Sequence, residues 1–517
     1  MANGGAIPTG TDGNPILGAG FTGKSGWIWM LCLLGLAGLL GLAFTLVDPI
    51  KIGALLVFLI FVVLLMWVAL QFPVTMLCVI VAAQVLIPVY VRLPVPGLPS
   101  VPPPLLLMVG FIGITLLKQI LNPTPLRTGR YERFVATAVL IYGGALAITL
   151  PSEHANSASY MMFIKTYVVP AFLFFILMAI IRTRSQLERI YQTLLVAAVI
   201  CAILAMHEYS VGKNVLAATL APPVTIDEDF FLWLLANADE AGPYLTGVLY
   251  RVFSTFTQPL EYSAFMVMSL PYPALKFVTE TRPLPKALYG IAGVLVLIGF
   301  VVSFSRGPTL ALGLVFLFLA VYERRVRPWI LFVIIAMLIA LAAAWPFIGE
   351  AMSERISGKS NITLRFSLWQ NGIATFLENP IKGIGYGSYP NYHVESIRAH
   401  QIGPMYEYSW PHIERVTTVE NIYVTLMAET GVLGLGAFLT MLGVYFYVFR
   451  KVVKLPSEQT RILALSSCGA VLAYLLSGMT VANIIGYTVS ILFFGVHIAG
   501  IGVLSRALPD TPMRKAG

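Results

Sequence analysis

Apolar runs of membrane-spanning length recur from one end of this 517-residue chain to the other. A hydrocarbon core about 30 Å thick asks for about 20 apolar residues per helix, and every backbone polar group in lipid must be paired within the protein. Such a chain folds as an all-α polytopic membrane protein. Runs at 27–47, 53–71, 74–91, 104–117, 134–150, 166–181, 190–207, 260–279, 287–304, 308–322, 329–346, 421–449, 462–480 and 486–504 predict about 12–14 transmembrane helices. The run at 104–117 is short and follows Val101-Pro102-Pro103-Pro104, so it is the one expected to be re-entrant or misplaced. A mean hydropathy of +0.83 excludes the soluble globular class. The four cysteines, Cys32, Cys78, Cys201 and Cys468, each lie in an apolar run and form neither a disulfide framework nor a zinc spacing.

Most of the 33 Lys and Arg residues fall in short turns on one side once the N-terminus is placed in the cytoplasm. This divides the chain into a cytoplasmic tail (1–26), membrane helices (27–346) with an outer loop at 208–259, a large outer loop (347–420), C-terminal membrane helices (421–504) and a cytoplasmic tail (505–517). No small-residue cleavage site precedes Trp27, so the first helix is expected to act as an uncleaved anchor. The net charge of +9 is then a matter of topology, and no nucleic-acid partner is implied.

The long outer loop concentrates the chemistry, since a connector that long in a compact protein is usually functional. Arg306 sits in a Ser305-Arg306-Gly307-Pro308 turn between two apolar helices. It is either an interfacial arginine reaching for headgroups or a fixed cation for a phosphate or diphosphate. Arg365 and Trp369 lie on an amphipathic outer helix, four residues apart, where a structural cation-π pair is the plain alternative to a binding role. Lys382 opens Lys382-Gly383-Ile384-Gly385-Tyr386-Gly387, readable as an anion-binding nest or as a tight turn against the membrane surface. Arg251 precedes the helix that starts near Pro259. Glu420 stands at the membrane entry of the next helix, as a general base or as a carboxylate favoured by the helix dipole. Glu429, deeper in that helix, is expected inside the bilayer, where it needs a partner. The triplet Asp227-Glu228-Asp229 offers oxygen ligands, but such a triplet is more often only solvated, and no metal or cofactor is expected.

These residues also carry a resemblance. Ser305-Arg306-Gly307 is followed by Arg365 and Trp369, then by Asn379-Pro380-Ile381-Lys382-Gly383-Ile384-Gly385. Glu420-Asn421-Ile422-Tyr423 then runs into Ala428-Glu429-Thr430-Gly431. This order resembles the O-antigen ligase and polymerase superfamily of bacterial membrane glycosyltransferases, over about residues 245–440. The resemblance implies a C-type glycosyltransferase of the inner membrane with a periplasmic active site, periplasmic outer loops and both termini cytoplasmic. It implies transfer of a glycan from a polyprenyl-diphosphate carrier, without a nucleotide sugar. Carried over, Arg306 and Arg365 neutralise the diphosphate with help from Arg251. Trp369, Lys382, Asn421 and Tyr423 join them in binding substrate. Where the family's ligases have a histidine before the asparagine of the last motif, this chain has Glu420, and nearby His412 is a candidate for the missing imidazole.

The expectation is therefore an exopolysaccharide or O-antigen-type polymerase. A ligase delivering a finished glycan to a lipid or protein acceptor is the near alternative, and a lipid-linked-sugar flippase or secondary transporter the alternative of another class. Expected partners are the lipid-linked glycan, membrane lipid and, for a polymerase, a chain-length regulator or flippase.

Overall fold

A computed structural model describes residues 67–88, 91, 102–121, 129–214, 216–217, 250–329, 359–400, 402, 419–480 and 487–509. The predicted span at 27–47, all but the first residue of 329–346, most of 53–71, the triplet at 227–229 and His412 lie outside them. The chain divides into two compact units, Met1–Met76 and Leu77–Gly517, and the second contains every candidate site residue.

Every regular element among the described residues is a helix. In chain order these are α1 (Pro73–Leu86), α2 (Pro103–Leu121), α3 (Arg130–Thr149), α4 (Ser157–Ile180) and α5 (Arg184–Val211). They continue with α6 (Pro259–Ser269), α7 (Pro271–Thr279), α8 (Pro283–Val301), α9 (Arg306–Tyr322), α10 (Lys359–Glu378) and α11 (Tyr389–His400). The chain closes with α12 (Ile422–Val452), α13 (Glu458–Ser477) and α14 (Thr488–Ala507). Eight of these helices are long and apolar enough to cross a membrane, with α1 and α9 as shorter apolar helices.

The run at 104–117 lies in α2, whose 19 residues are long and apolar enough for a span. Two expectations need correction. The run at 260–279 is two helices, because Pro271 and Pro273 lack the N–H groups that would continue α6. α12 is broken at Gly431, whose φ of 59° is available at low cost only to glycine.

That break has a geometric reason. α12 has 31 residues, about 46 Å at 1.5 Å per residue, too long for one bilayer crossing. α3 packs antiparallel to it, with Tyr131 6.4 Å from Tyr447 and Tyr142 5.4 Å from Phe438, ring to ring. The same register puts the C-terminal end of α3, at Leu150, opposite the Gly431 region. Val432–Val452 measures about 31 Å and makes the span. Ile422–Thr430 lies beyond the end of α3 and reaches the C-terminal end of α13, where Ile422 N–H donates to Gly478 O (2.8 Å).

The basic turns gather at one end of the bundle, where ion pairs tie helices together. Arg506 Nε donates to buried Glu132 (2.9 Å), and Arg325 Nη1 to Glu458 (2.8 Å). α5, α8 and α13 run from that end to the opposite one, where their C-termini meet the N-termini of α6, α9 and α12. The candidate residues sit there.

Candidate active site

Three turns at this end hold non-glycine residues with positive φ: Ser254 (52°), Phe304 (48°) and Glu420 (52°). They are the only such residues among those described, and each belongs to a different candidate motif. Left-handed backbone in residues with a Cβ persists only where its surroundings over-determine it, and here the surroundings are visible.

The Arg251 turn is built on a carboxylate. Buried Glu208, near the end of α5, accepts from Ser254 N (2.7 Å), Phe253 N (3.1 Å) and Tyr250 Oη (2.8 Å). Asn214 Nδ2 donates to Ser254 O (2.8 Å), and Thr255 Oγ1 to Val85 O (2.6 Å). So held, Arg251 reaches across to the next motif, donating from Nε to Ser303 O (3.3 Å) and from Nη2 to Ser305 Oγ (3.1 Å). Ser305 is the N-cap residue of α9, and Arg306 is that helix's first residue, with an exposed side chain.

Gly307 carries the connection onward. A Cβ there would stand 1.8 Å from Thr480 Oγ1, so only glycine lets α9 approach the segment after α13. Thr480 O accepts from Arg365 Nη1 (3.2 Å), and Arg365 Nε forms an ion pair with Glu420 Oε2 at 3.0 Å, both side chains one-third exposed. Arg251, Arg306, Arg365 and Glu420 thus occupy one continuous structure.

Asn421 anchors it. Its Oδ1 caps α12 by accepting from Tyr423 N (2.9 Å) and Val424 N (3.2 Å), while Nδ2 donates to Met479 O (3.2 Å). Tyr423 Oη donates to Leu475 O (3.1 Å). Both side chains brace α12 against α13 and thereby position Glu420. Trp369 packs with Val424 against a core cluster of Ile384, Tyr389, Tyr392, Val419 and Ala428, one turn along α10 from Arg365.

The glycine loop packs against protein. Gly383, Gly385 and Gly387 all have positive φ. Their neighbourhood's N–H groups are spent on protein, with Gly383 donating to Asn379 O (2.8 Å), Ile384 to Ala428 O (3.1 Å) and Gly385 to Glu429 O (2.9 Å). The loop is a wedge docked in the kink of α12, where Val432 N–H in return donates to Pro380 O (2.9 Å). A Cβ on Gly383 would stand 2.3 Å from the Glu429 carbonyl carbon. Tyr386 Oη and Thr166 Oγ1 of α4, 2.6 Å apart, pin the far side, and burial of the phenol pushes its pKa up. Exposed Lys382 sits on this wedge, roughly 15 Å along α12 from Glu420 by helix rise, and is not brought to the arginines.

Glu429 is likewise placed by the kink. Its carboxylate accepts from Tyr389 N (3.2 Å), so its partner is the start of α11, just after the inserted loop. Sequence reasoning missed this pairing, as it missed Glu208 and Thr480. Glu208 had a visible signal, an acidic residue ending an apolar helix; Thr480 had none. No group of three or more His, Cys, Asp or Glu suited to a metal stands together among the described residues.

Together the apolar helices and the arginine-bearing turns at this end of the bundle define a multi-pass membrane protein with a polar site built on helix termini. Residues 291–439 match the family model described as O-Antigen ligase, which spans Arg306, Arg365 and Glu420 and leaves Arg251 and Thr480 outside. Over those residues the match supports the O-antigen ligase/polymerase superfamily that the motifs resemble, whose members are glycosyltransferase-like enzymes. No curated protein matches the chain.

Proposed function

We propose that the chain is a polysaccharide polymerase of the exopolysaccharide or O-antigen type, working at the periplasmic face of the inner membrane with both termini cytoplasmic. The observation that carries this reading is the Arg365–Glu420 ion pair beside the Arg306 turn. It sets a carboxylate next to permanent cations at the end of the bundle away from the basic turns.

In this reading the diphosphate of a polyprenyl-linked glycan lies against Arg306 and Arg365, and Arg251 holds the Arg306 turn in place. Arg365 orients Glu420 through one oxygen, and the other takes the proton of an acceptor sugar hydroxyl. The hydroxyl oxygen attacks the anomeric carbon, and the bond from that carbon to the diphosphate oxygen breaks. Charge growing on the leaving diphosphate meets preorganised guanidinium donors, which lowers the barrier. Guanidinium keeps its proton at any accessible pH and donates in a fork matched to phosphate, so the proposed reaction uses no metal.

The description of the matched family favours a second reading, ligation of a finished glycan to another molecule. One reconstitution separates them. Purified protein receives a polyprenyl-diphosphate-linked repeat unit as sole substrate, with and without chelator. A chelator-insensitive ladder of lipid-linked products supports the polymerase; no ladder, with transfer only after a separate acceptor is added, supports the ligase.

A further inference from the structure

α10 buries Ser367, Leu368, Asn371, Gly372 and Thr375 against its neighbours. On its opposite face Phe366, Ile373 and Leu377 are exposed, the last by 68%. Helical spacing aligns them, and Ile381 continues the row just past the helix end, also 68% exposed. Large apolar surface facing water is costly, and this row does not end in water. Ile381 O accepts from Leu433 N (3.3 Å), and Val432 and Leu433 are themselves exposed at the start of the span of α12. Apart from exposed Gln370, which shares this face, the row therefore runs on into the exposed apolar surface of a membrane helix. Its level agrees with the register of α3 on α12, because α10 lies along Ile422–Thr430, the part of α12 beyond the outer end of α3. Cations flank the row, Arg365 at its start and exposed Lys382 beside its end.

We propose that α10 is an interfacial helix sunk in the outer leaflet, with acyl chains against Phe366, Ile373, Leu377 and Ile381, and a lipid phosphate at Lys382. Immersion sets the height of Arg365. The guanidinium is one residue from the immersed row, so it is held at the headgroup boundary, the depth at which any lipid-borne phosphate presents itself. The bilayer thereby acts as one wall of the site.

The test is depth measurement on the full-length protein in lipid nanodiscs. Ile373→Cys and Leu377→Cys, with Glu395→Cys on α11 as an exposed control, are labelled with an environment-sensitive fluorophore after the native cysteines are replaced. Immersion predicts blue-shifted emission at 373 and 377, quenched by lipids brominated near the headgroup and insensitive to aqueous iodide, with the reverse at 395. Iodide quenching at 373 and 377 would place the row in water, and protection from both quenchers would place it under protein; either result overturns the proposal. The readout is position rather than catalysis, so it stands or falls separately from the polymerase reading.

Discussion

Arg365 Nε lies 3.0 Å from Glu420 Oε2, and the same guanidinium reaches Thr480 O at 3.2 Å. One arginine therefore joins α10, the residue before the cap of α12 and the segment after α13. Its removal should affect chemistry before it affects folding.

For Arg365→Ala we expect transfer from the lipid-diphosphate donor to fall on the order of a hundred-fold or more, as when a preorganised charge donor is removed. Arg365→Lys should recover little, since a point charge cannot hold Glu420, Thr480 O and a phosphate together. Product ladders at equal protein level check this. Near-normal ladders from both variants would remove Arg365 from the site.

Glu420→Gln keeps size and shape but removes the proton acceptor. Donor binding should persist while turnover is lost. A binding measurement with the lipid-linked repeat unit, set beside turnover of the same sample, separates the two; full turnover would exclude Glu420 as the base.

Glu208→Ala should loosen the Arg251 turn without touching substrate. Three donors lose one buried acceptor, a cost on the order of 3 kcal/mol. Thermal unfolding in detergent should start earlier, and turnover should fall with Arg251 intact. An unchanged melting profile would contradict the role given to Glu208.

Gly383→Ala tests the wedge. The position combines a φ of 66° with a Cβ site overlapping the backbone of α12, so destabilisation of at least ~1–3 kcal/mol is expected. Protease nicking near residues 380–388 should appear under conditions where the parent protein resists.

Glu132→Ala acts at the other end of the bundle. It strips buried Glu132 from Arg506, which ties α14 to α3, and should cost about 3–5 kcal/mol. Turnover per folded molecule should stay at the parent level, because this end carries none of the site.

The sequence by itself determined that this chain is an all-helical membrane protein. Apolar length and pairing of the backbone in lipid leave a chain with such runs few other solutions. It also picked out the motifs around Arg251, Arg306, Arg365 and Glu420, because a cation at the edge of an apolar run is conspicuous. Tertiary structure alone decided how they meet. Thr480 contributes a backbone carbonyl, which any residue carries, so nothing in its letter marks it as the bridge between Gly307 and Arg365. Likewise, the glycines of 383–387 signal positive φ but not what approaches them. That they wedge open α12 at Gly431, and give Glu429 its partner, follows from packing between segments far apart in the chain. Local spacing holds no record of such contacts.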